Sequence, residues 1–378
     1  MPSVTLGIFI YFLTELRNAS IITSLLLLRQ IKRDSPMTRK INVGVVGATG
    51  YTGEALVRIL ADHPKARLVY VSGKEDRKTK IQEIFPYLRH QLDLECKAFS
   101  VDEAVEQCDF IFLSLPHTVS MQVAPAILKA KKKVVDISAD YRLKDEKIYE
   151  RFYKVKHRDA ANLKHAVYGL PEINRARIRG AALVANPGCY PTGSILGLLP
   201  GIKGDLFRSE TIQIDAKSGV TGAGRKADKA LNFSEVNESF KAYKLFEHQH
   251  VPEINQELSR VAKREVDVVF VPHLLPINRG ILSTIYVKLK KRMTTDELIG
   301  VYAKGYAKEP FVKVYENGRL PEIRHVINTN FCDIGLKVNE SKNLAVIVTT
   351  IDNLGKGAAG QAVENMNIMS GFEETEGL

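Results

Sequence analysis

Ile41-Asn-Val-Gly-Val-Val46, Gly47-Ala-Thr-Gly-Tyr-Thr-Gly53 and Glu54 to Asp62 read in succession as strand, glycine turn and helix. The first run is apolar enough for a strand buried on both faces, and Ala55, Leu56, Ile59 and Leu60 recur at the spacing of one helix face. Glycines in the turn let backbone approach a diphosphate, and the N-terminus of the following helix receives negative charge. A glycine pattern alone is weak evidence. Its place between a strand and a helix near the start of a domain makes dinucleotide binding the reading, with Gly47, Thr49, Gly50, Tyr51, Thr52 and Gly53 around the cofactor.

The next strand, Arg67-Leu-Val-Tyr-Val71, should end beside the adenosine ribose, where an NAD site places Asp or Glu. Here Ser72, Lys74 and Arg77 follow, with Glu75 and Asp76 among them; a hydroxyl and cations suit a 2′-phosphate, so NADP(H) is expected. Two further strands, Phe110 to Leu115 and Val134 to Ser138, complete the half-sheet and bring Ser114, His117, Ser138 and Arg142 to its working edge. Arg142 is a candidate for a substrate phosphate or carboxylate, because a guanidinium fork matches those oxyanions. His117 reads as a loop residue near the cofactor.

From Val184 to Pro200 the chain aims a cysteine at the head of a helix. Leu183 to Ala185 ends a buried strand, Asn186-Pro187-Gly188 is a turn, and Ile195 to Leu199 is the helix that follows. Unpaired N–H groups and the helix dipole would lower the Cys189 thiol from ~8.5 by one to several units. From this stretch alone a nucleophile and a buried structural cysteine are equally open. Phe246 to Ile254 (FEHQHVPEI) adds His248, His250 and, one helical turn on, Glu253. A thiolate mechanism needs an imidazole to move protons and a carboxylate to fix its tautomer, which His250 and Glu253 could supply. His-x-His has no accompanying ligand cluster, so no metal is expected.

The second half alternates as β-rich segments: Thr211 to Asp215, then the glycine loop Ser218 to Arg225, Val266 to Val271 and Ile281 to Leu289, with a helix over Thr295 to Tyr306. After the strand Leu344 to Thr350, small residues from Gly357 to Ala362 allow a helix to pack closely on another backbone or a cofactor, and the chain returns to its first domain. The fold expected is α/β: a Rossmann-type dinucleotide-binding domain over 37–188 and 349–378, with an inserted α+β catalytic and dimerisation domain of mixed sheet over 189–348. Residues 1–36 are expected to lie outside the fold, with Met37 as an alternative start. Val4 to Thr14 and Ile21 to Leu28 are apolar but short for a span, and the first charged residue is Glu15 where a secretory signal wants positive charge ahead of its apolar core, so stable membrane association is not expected. A membrane-tethering leader is the alternative.

The chain has 378 residues and a formal charge of +11, but its cations are scattered without an aromatic-interleaved stripe, which argues against nucleic acid. The same field attracts phosphate-bearing ligands. Four widely spaced cysteines without a CxxC pair argue against a disulfide framework or zinc knuckle and suit a reducing cytoplasm.

Together GATGYTG at Gly47, ISADYR at Ile137, YGLPEI at Tyr168, NPGCYPTG at Asn186, SGVTGAGR at Ser218, HQHVPEI at His248, PHLLPINRGI at Pro272 and DNLGKGAAGQAVENMN at Asp352 resemble the N-acetyl-gamma-glutamyl-phosphate reductases. These belong to the superfamily of aspartate-semialdehyde dehydrogenase. NPGCYPTG is the specific motif, and the resemblance runs from Asn42 to Met369. It implies NADPH-dependent reduction of an acyl phosphate, N-acetyl-L-glutamyl 5-phosphate, to the semialdehyde in arginine biosynthesis, in a homodimer or homotetramer. Cys189 would be the nucleophile and His250 the acid/base with His248 beside it. Asn353 would belong to the cofactor site, and Ser218 and Arg225 with Arg142 to the substrate site. Alternatives are the related aminoadipyl-phosphate reductase of lysine biosynthesis and, in another class, an NADP-binding redox sensor.

Overall fold

The computed structural model describes residues 40–73, 78–225 and 227–378. The expectations for residues 1–36, Lys74 and Arg77 lie outside the described residues.

Among the described residues the first sheet has eight strands: β1 (Ile41–Val46), β2 (Ala66–Ser72), β3 (Thr79–Lys80), β4 (Glu95–Lys97), β5 (Phe110–Leu113), β6 (Lys133–Asp136), β7 (Val167–Tyr168) and β8 (Leu183–Ala185). Their order is β3-β4-β2-β1-β5-β6-β8-β7, parallel except for the β3 edge. β5 is buried along its whole length, as both-sided cover by helices requires. One face packs Leu56, Val57 and Leu60 with Val363 and Met366, the other packs Met121, Ala124 and Ile127 with Tyr149.

The helix of the glycine turn runs Tyr51–Ala61, starting three residues earlier than the sequence pattern suggests. Gly50 is its N-cap in extended conformation, and Glu54 N–H already donates to Gly50 O at 2.8 Å. The glycines have distinct reasons. Gly47 has φ +87° and a Cβ there would meet Ser114 O at 2.2 Å, while a Cβ on Gly53 would meet Gly47 O at 2.1 Å. Only glycine lets turn, helix and neighbouring strand approach so closely.

The second sheet holds β9 (Gln213–Gly219), β10 (Lys241–Ala242), β11 (Val269–Leu275), β12 (Ile281–Lys288), β13 (Val312–Val314), β14 (Cys332–Asn339) and β15 (Leu344–Ile351). Their order is β10-β11-β9-β12-β15-β14-β13; β11 with β9 and β13 with β14 are parallel, the remaining pairs antiparallel. This is the mixed sheet expected. β11 lies further along than Val266 to Val271 and runs through Pro272, where the sequence pattern stops. Proline is tolerated because its carbonyl is still used, accepting from Tyr243 N–H at 3.1 Å at the short β10 edge.

One face of this sheet is covered by the cysteine helix, Cys189–Lys203, which is buried almost throughout. Gly197 allows the contact: a Cβ there would lie 2.6 Å from Ile285 Cδ1 and 2.8 Å from Thr349 Cγ2. Pro200 sits inside the helix and cannot donate to Leu196 O. Tyr306 OH donates to that carbonyl instead, and Tyr302 OH donates to Gly197 O at 2.6 Å. The helix of residues Thr295–Tyr306 thereby repairs the break that proline makes.

After β15 the chain forms a π-turn, Gly355–Ala359, and the helix Gly360–Ser370, which is buried on the first sheet. The return to the first sheet is thus present. Among the described residues no helix is long and apolar enough to cross a membrane.

Candidate active site

Gly188 caps the cysteine helix in extended conformation without a side-chain cap, so Cys189 occupies the first helical position. Thr192 N–H and Oγ1 both donate to Gly188 O at 3.0 Å and close the first turn. Cys189 is half-buried, whereas Cys96, Cys108 and Cys332 are buried. The expectation of an acidic thiol needs correction. Burial pushes the thiol up to about 11, outweighing the Arg142 guanidinium and the Tyr190 and Cys189 N–H groups, which pull the other way. A thiol raised this far is protonated at neutral pH.

His250 is the residue before the helix Val251–Ala262. Its Nε2 lies against the backbone next to the cysteine: a Cβ on Gly188 would be 2.5 Å from it. Burial, and then the neighbours His248 and Arg142, hold this imidazole well below its ordinary value, so it is neutral. His250 N–H donates to His248 Nδ1 at 3.1 Å. The His248 ring lies behind it, packed edge-on to Tyr190, Tyr243 and Phe270. Burial pushes His248 down to about 3. Its ring centroid lies 4.8 Å from that of His250.

Glu253 does not orient His250. Its Oε1 accepts from Gly188 N–H at 2.8 Å and Tyr168 OH at 2.8 Å, and its Oε2 faces Arg142 Nη1 at 3.3 Å. His250 Nδ1 makes no hydrogen bond among the described residues. The i,i+3 spacing that suggested a dyad puts the carboxylate on the turn ahead of Cys189 instead. Arg142 is buried and commits Nε to Asn186 O at 2.7 Å and Nη2 to Ile137 O at 2.8 Å. With Nη1 on Glu253, three of its five N–H donors are taken, so its placement is that of a fixed cation beside the thiol more than of an open clamp.

The other expected ligands divide. Gly50 to Gly53 form an uncapped helix start, with first-turn N–H groups offered to a diphosphate, and Thr49 packs over Gly73, whose Cβ would meet Thr49 Cγ2 at 2.7 Å. This arrangement fits a dinucleotide. Ser72 is buried at the end of β2, and its Oγ lacks a partner among the described residues. Arg225 does not face Cys189: it pairs with Glu54 and lies 4.7 Å over the Tyr51 ring, at the mouth of the dinucleotide turn. Ser218 is buried and donates to Gly219 O at 3.0 Å. Asn353 uses its amide to join loops, accepting from Gly280 N–H at 2.7 Å and donating to Thr221 Oγ1 at 2.9 Å.

Sequence reasoning missed Tyr168, Asn186 and Gly357. Asn186 Nδ2 donates to Ala358 O at 3.0 Å and its Oδ1 accepts from Asn365 Nδ2 at 3.0 Å, tying the cysteine turn to the returning helix. A Cβ on Gly357 would lie 2.9 Å from Cys189 Cβ. The small-residue run around Gly357 was the available signal. Among the described residues no group of His, Cys, Asp and Glu converges as a metal site.

Residues 42–181 match the semialdehyde dehydrogenase NAD-binding domain and residues 189–353 the semialdehyde dehydrogenase dimerisation domain. The chain is 49% identical over 338 residues to the N-acetyl-gamma-glutamyl-phosphate reductase of Pelotomaculum thermopropionicum, covering 89% of this chain and 97% of the relative. It is 48% identical over 339 residues to that of Symbiobacterium thermophilum, with coverage of 89% and 97%. In fold it is similar to aspartate semialdehyde dehydrogenase II of Vibrio cholerae complexed with ASA (TM-score 0.67, 15% identity, 88% of this chain and 98% of the other). It is also similar to the Candida albicans aspartate semialdehyde dehydrogenase with NADP (TM-score 0.64, 13% identity, 88% and 98%). The chain belongs to the N-acetyl-gamma-glutamyl-phosphate reductase family of semialdehyde dehydrogenases.

Proposed function

We propose that the chain reduces N-acetyl-L-glutamyl 5-phosphate to the 5-semialdehyde with NADPH, releasing phosphate, and that Cys189 carries the acyl group as a thioester. The observation that supports it most is the placement of Cys189 at the first position of an uncapped helix with neutral His250 Nε2 against Gly188. Because the thiol is protonated at rest, attack needs a base, and His250 accepts the proton as the C–S bond forms. The acyl–oxygen bond breaks and phosphate leaves. First-turn N–H groups of the cysteine helix are placed to stabilise charge on the carbonyl oxygen. Bound NADPH supplies the hydride that reduces the thioester. His250 then holds the proton that completes the thiol as the aldehyde departs. Arg142, fixed by two carbonyls and Glu253, keeps a positive charge beside the sulfur throughout.

The match to a dimerisation domain supports an oligomer, and we assign a homodimer or homotetramer. A thiol nucleophile favours a reducing, cytoplasmic setting. The test is phosphate-dependent reduction of NADP⁺ with N-acetylglutamate semialdehyde, in wild type and Cys189→Ala, beside the aspartate and aminoadipate analogues. Turnover with the acetylglutamyl compound that is lost in the variant supports the assignment. Preferred turnover of the aminoadipate analogue, or undiminished turnover in Cys189→Ala, refutes it.

A further inference from the structure

Lys356 is fully buried, yet nothing in the chemistry above uses it. Its Nζ lies 2.9 Å from Glu172 Oε1 and 2.8 Å from Glu364 Oε2. Glu364 Oε2 also accepts from Asn330 Nδ2 at 2.8 Å and Gln361 Nε2 at 3.2 Å. The cluster therefore ties together the helix Pro171–Arg179, the loop at Asn330, the helix Gly360–Ser370 and the π-turn Gly355–Ala359. That turn is also the surface on which the cysteine rests, since a Cβ on Gly357 would lie 2.9 Å from Cys189 Cβ and 3.3 Å from its Cα.

A π-turn is a rare, wide turn that recurs at functional sites. A buried ion pair adds little stability over apolar residues of the same volume, and its better-attested use is to fix a register. The two observations meet at one residue. A slip of the turn by one residue would swing Lys356 away from both carboxylates. It would also replace Gly357 against the cysteine by a residue bearing a Cβ.

We propose that Lys356 is a positioning residue: held between Glu172 and Glu364, it locks the π-turn in the register that sets Gly357 against Cys189 and so fixes the direction of the thiol. This rests on the assignment of Cys189 as nucleophile.

The test replaces the whole cluster by neutral groups, Lys356→Met with Glu172→Gln and Glu364→Gln, so that no buried charge is left alone. Iodoacetamide labelling of Cys189 is followed by peptide mass, beside kcat, the KM values for NADPH and acyl phosphate, and Tm. The expected result is a fall of about tenfold or more in both labelling rate and kcat, the size of a lost orienting interaction, with both KM values within about twofold. Labelling and kcat near wild type in a folded variant overturn the proposal. Should that variant not melt cooperatively, Gly357→Ala decides, because it disturbs the same contact from the other side. The same paired fall with NADPH binding retained supports the proposal, and unchanged labelling and kcat overturn it. Cys189→Ser keeps the two readings apart: turnover in that variant would defeat the nucleophile assignment, while labelling of wild-type Cys189 still reports how the thiol is aimed.

Discussion

Glu253→Gln separates two accounts of the site. In the structure Glu253 is buried, with Gly188 N–H and Tyr168 OH on one oxygen and Arg142 on the other. The amide can keep its oxygen on the first pair of donors. Its NH₂ then meets the Arg142 guanidinium at the 3.3 Å position, donor against donor, and leaves that buried cation without a counter-charge. Breaking a buried pair costs about 3–5 kcal/mol. The long contact and the two carbonyls that Arg142 keeps argue for the lower end, about 3 kcal/mol, which lowers Tm by roughly 6 °C at about 2 °C per kcal/mol for a chain of this size. The thiol moves the opposite way. Glu253 is one of the groups that raise it, so its neutralisation shifts the labelling midpoint of Cys189 below about 11. A less stable protein whose cysteine is labelled faster at pH 8 is therefore expected. Were Glu253 instead the residue that fixes the His250 tautomer, kcat would fall by about 10⁴-fold, as in a broken triad; on the geometry here the loss is nearer tenfold. Thermal melting, labelling against pH and steady-state kinetics measure all three. An unchanged Tm with a labelling midpoint that stays or rises, or a loss of kcat on the scale of a broken triad, would refute the reasoning.

In wild type, labelling of free Cys189 should climb about tenfold per pH unit from pH 7 towards its midpoint, with no plateau near pH 8.5, since burial holds the thiol up to about 11; a plateau at neutral pH would mean a preformed thiolate. Gly53→Ala places a Cβ 2.1 Å from Gly47 O and 2.7 Å from Ala48 Cα, so NADPH affinity should fall at least tenfold by equilibrium fluorescence, with a lower Tm. Asn353→Ala strands the buried Gly280 N–H and removes the tie to Thr221, which should cost about 2–3 kcal/mol in denaturant unfolding. If Asn353 acted chiefly on the cofactor, KM for NADPH would change instead and stability would hold.

The strand Leu183–Ala185 and the helix Thr295–Tyr306 stand where the sequence puts them, because a continuous apolar run marks a strand buried on both faces and apolar spacing marks a helix with one buried face. Cys189 at a helix head was legible for the same reason: turn chemistry precedes it and an apolar run follows. Its acidity was not, because desolvation depends on what packs over the sulfur, and the π-turn arrives from far along the chain. Glu253 shows the same limit. Spacing places it one turn from His250, but only the fold shows Gly188, Tyr168 and Arg142 converging on the carboxylate. Arg225, which the resemblance assigned to the substrate site, is carried by its loop to Glu54 and Tyr51.

The helix Gly360–Ser370 supplies Val363 and Met366 to the core that also holds Leu56 and Val57. In order of synthesis, the dinucleotide half begins first and closes last. While the ribosome makes the second sheet, one wall of the first remains open, with its apolar face available to chaperones or to other nascent chains. Arrested chains that end before Gly360 should leave the residues around the glycine turn open to protease, and chains that expose Ser370 beyond the exit tunnel should protect them. Cofactor binding would then report that synthesis has passed Ser370.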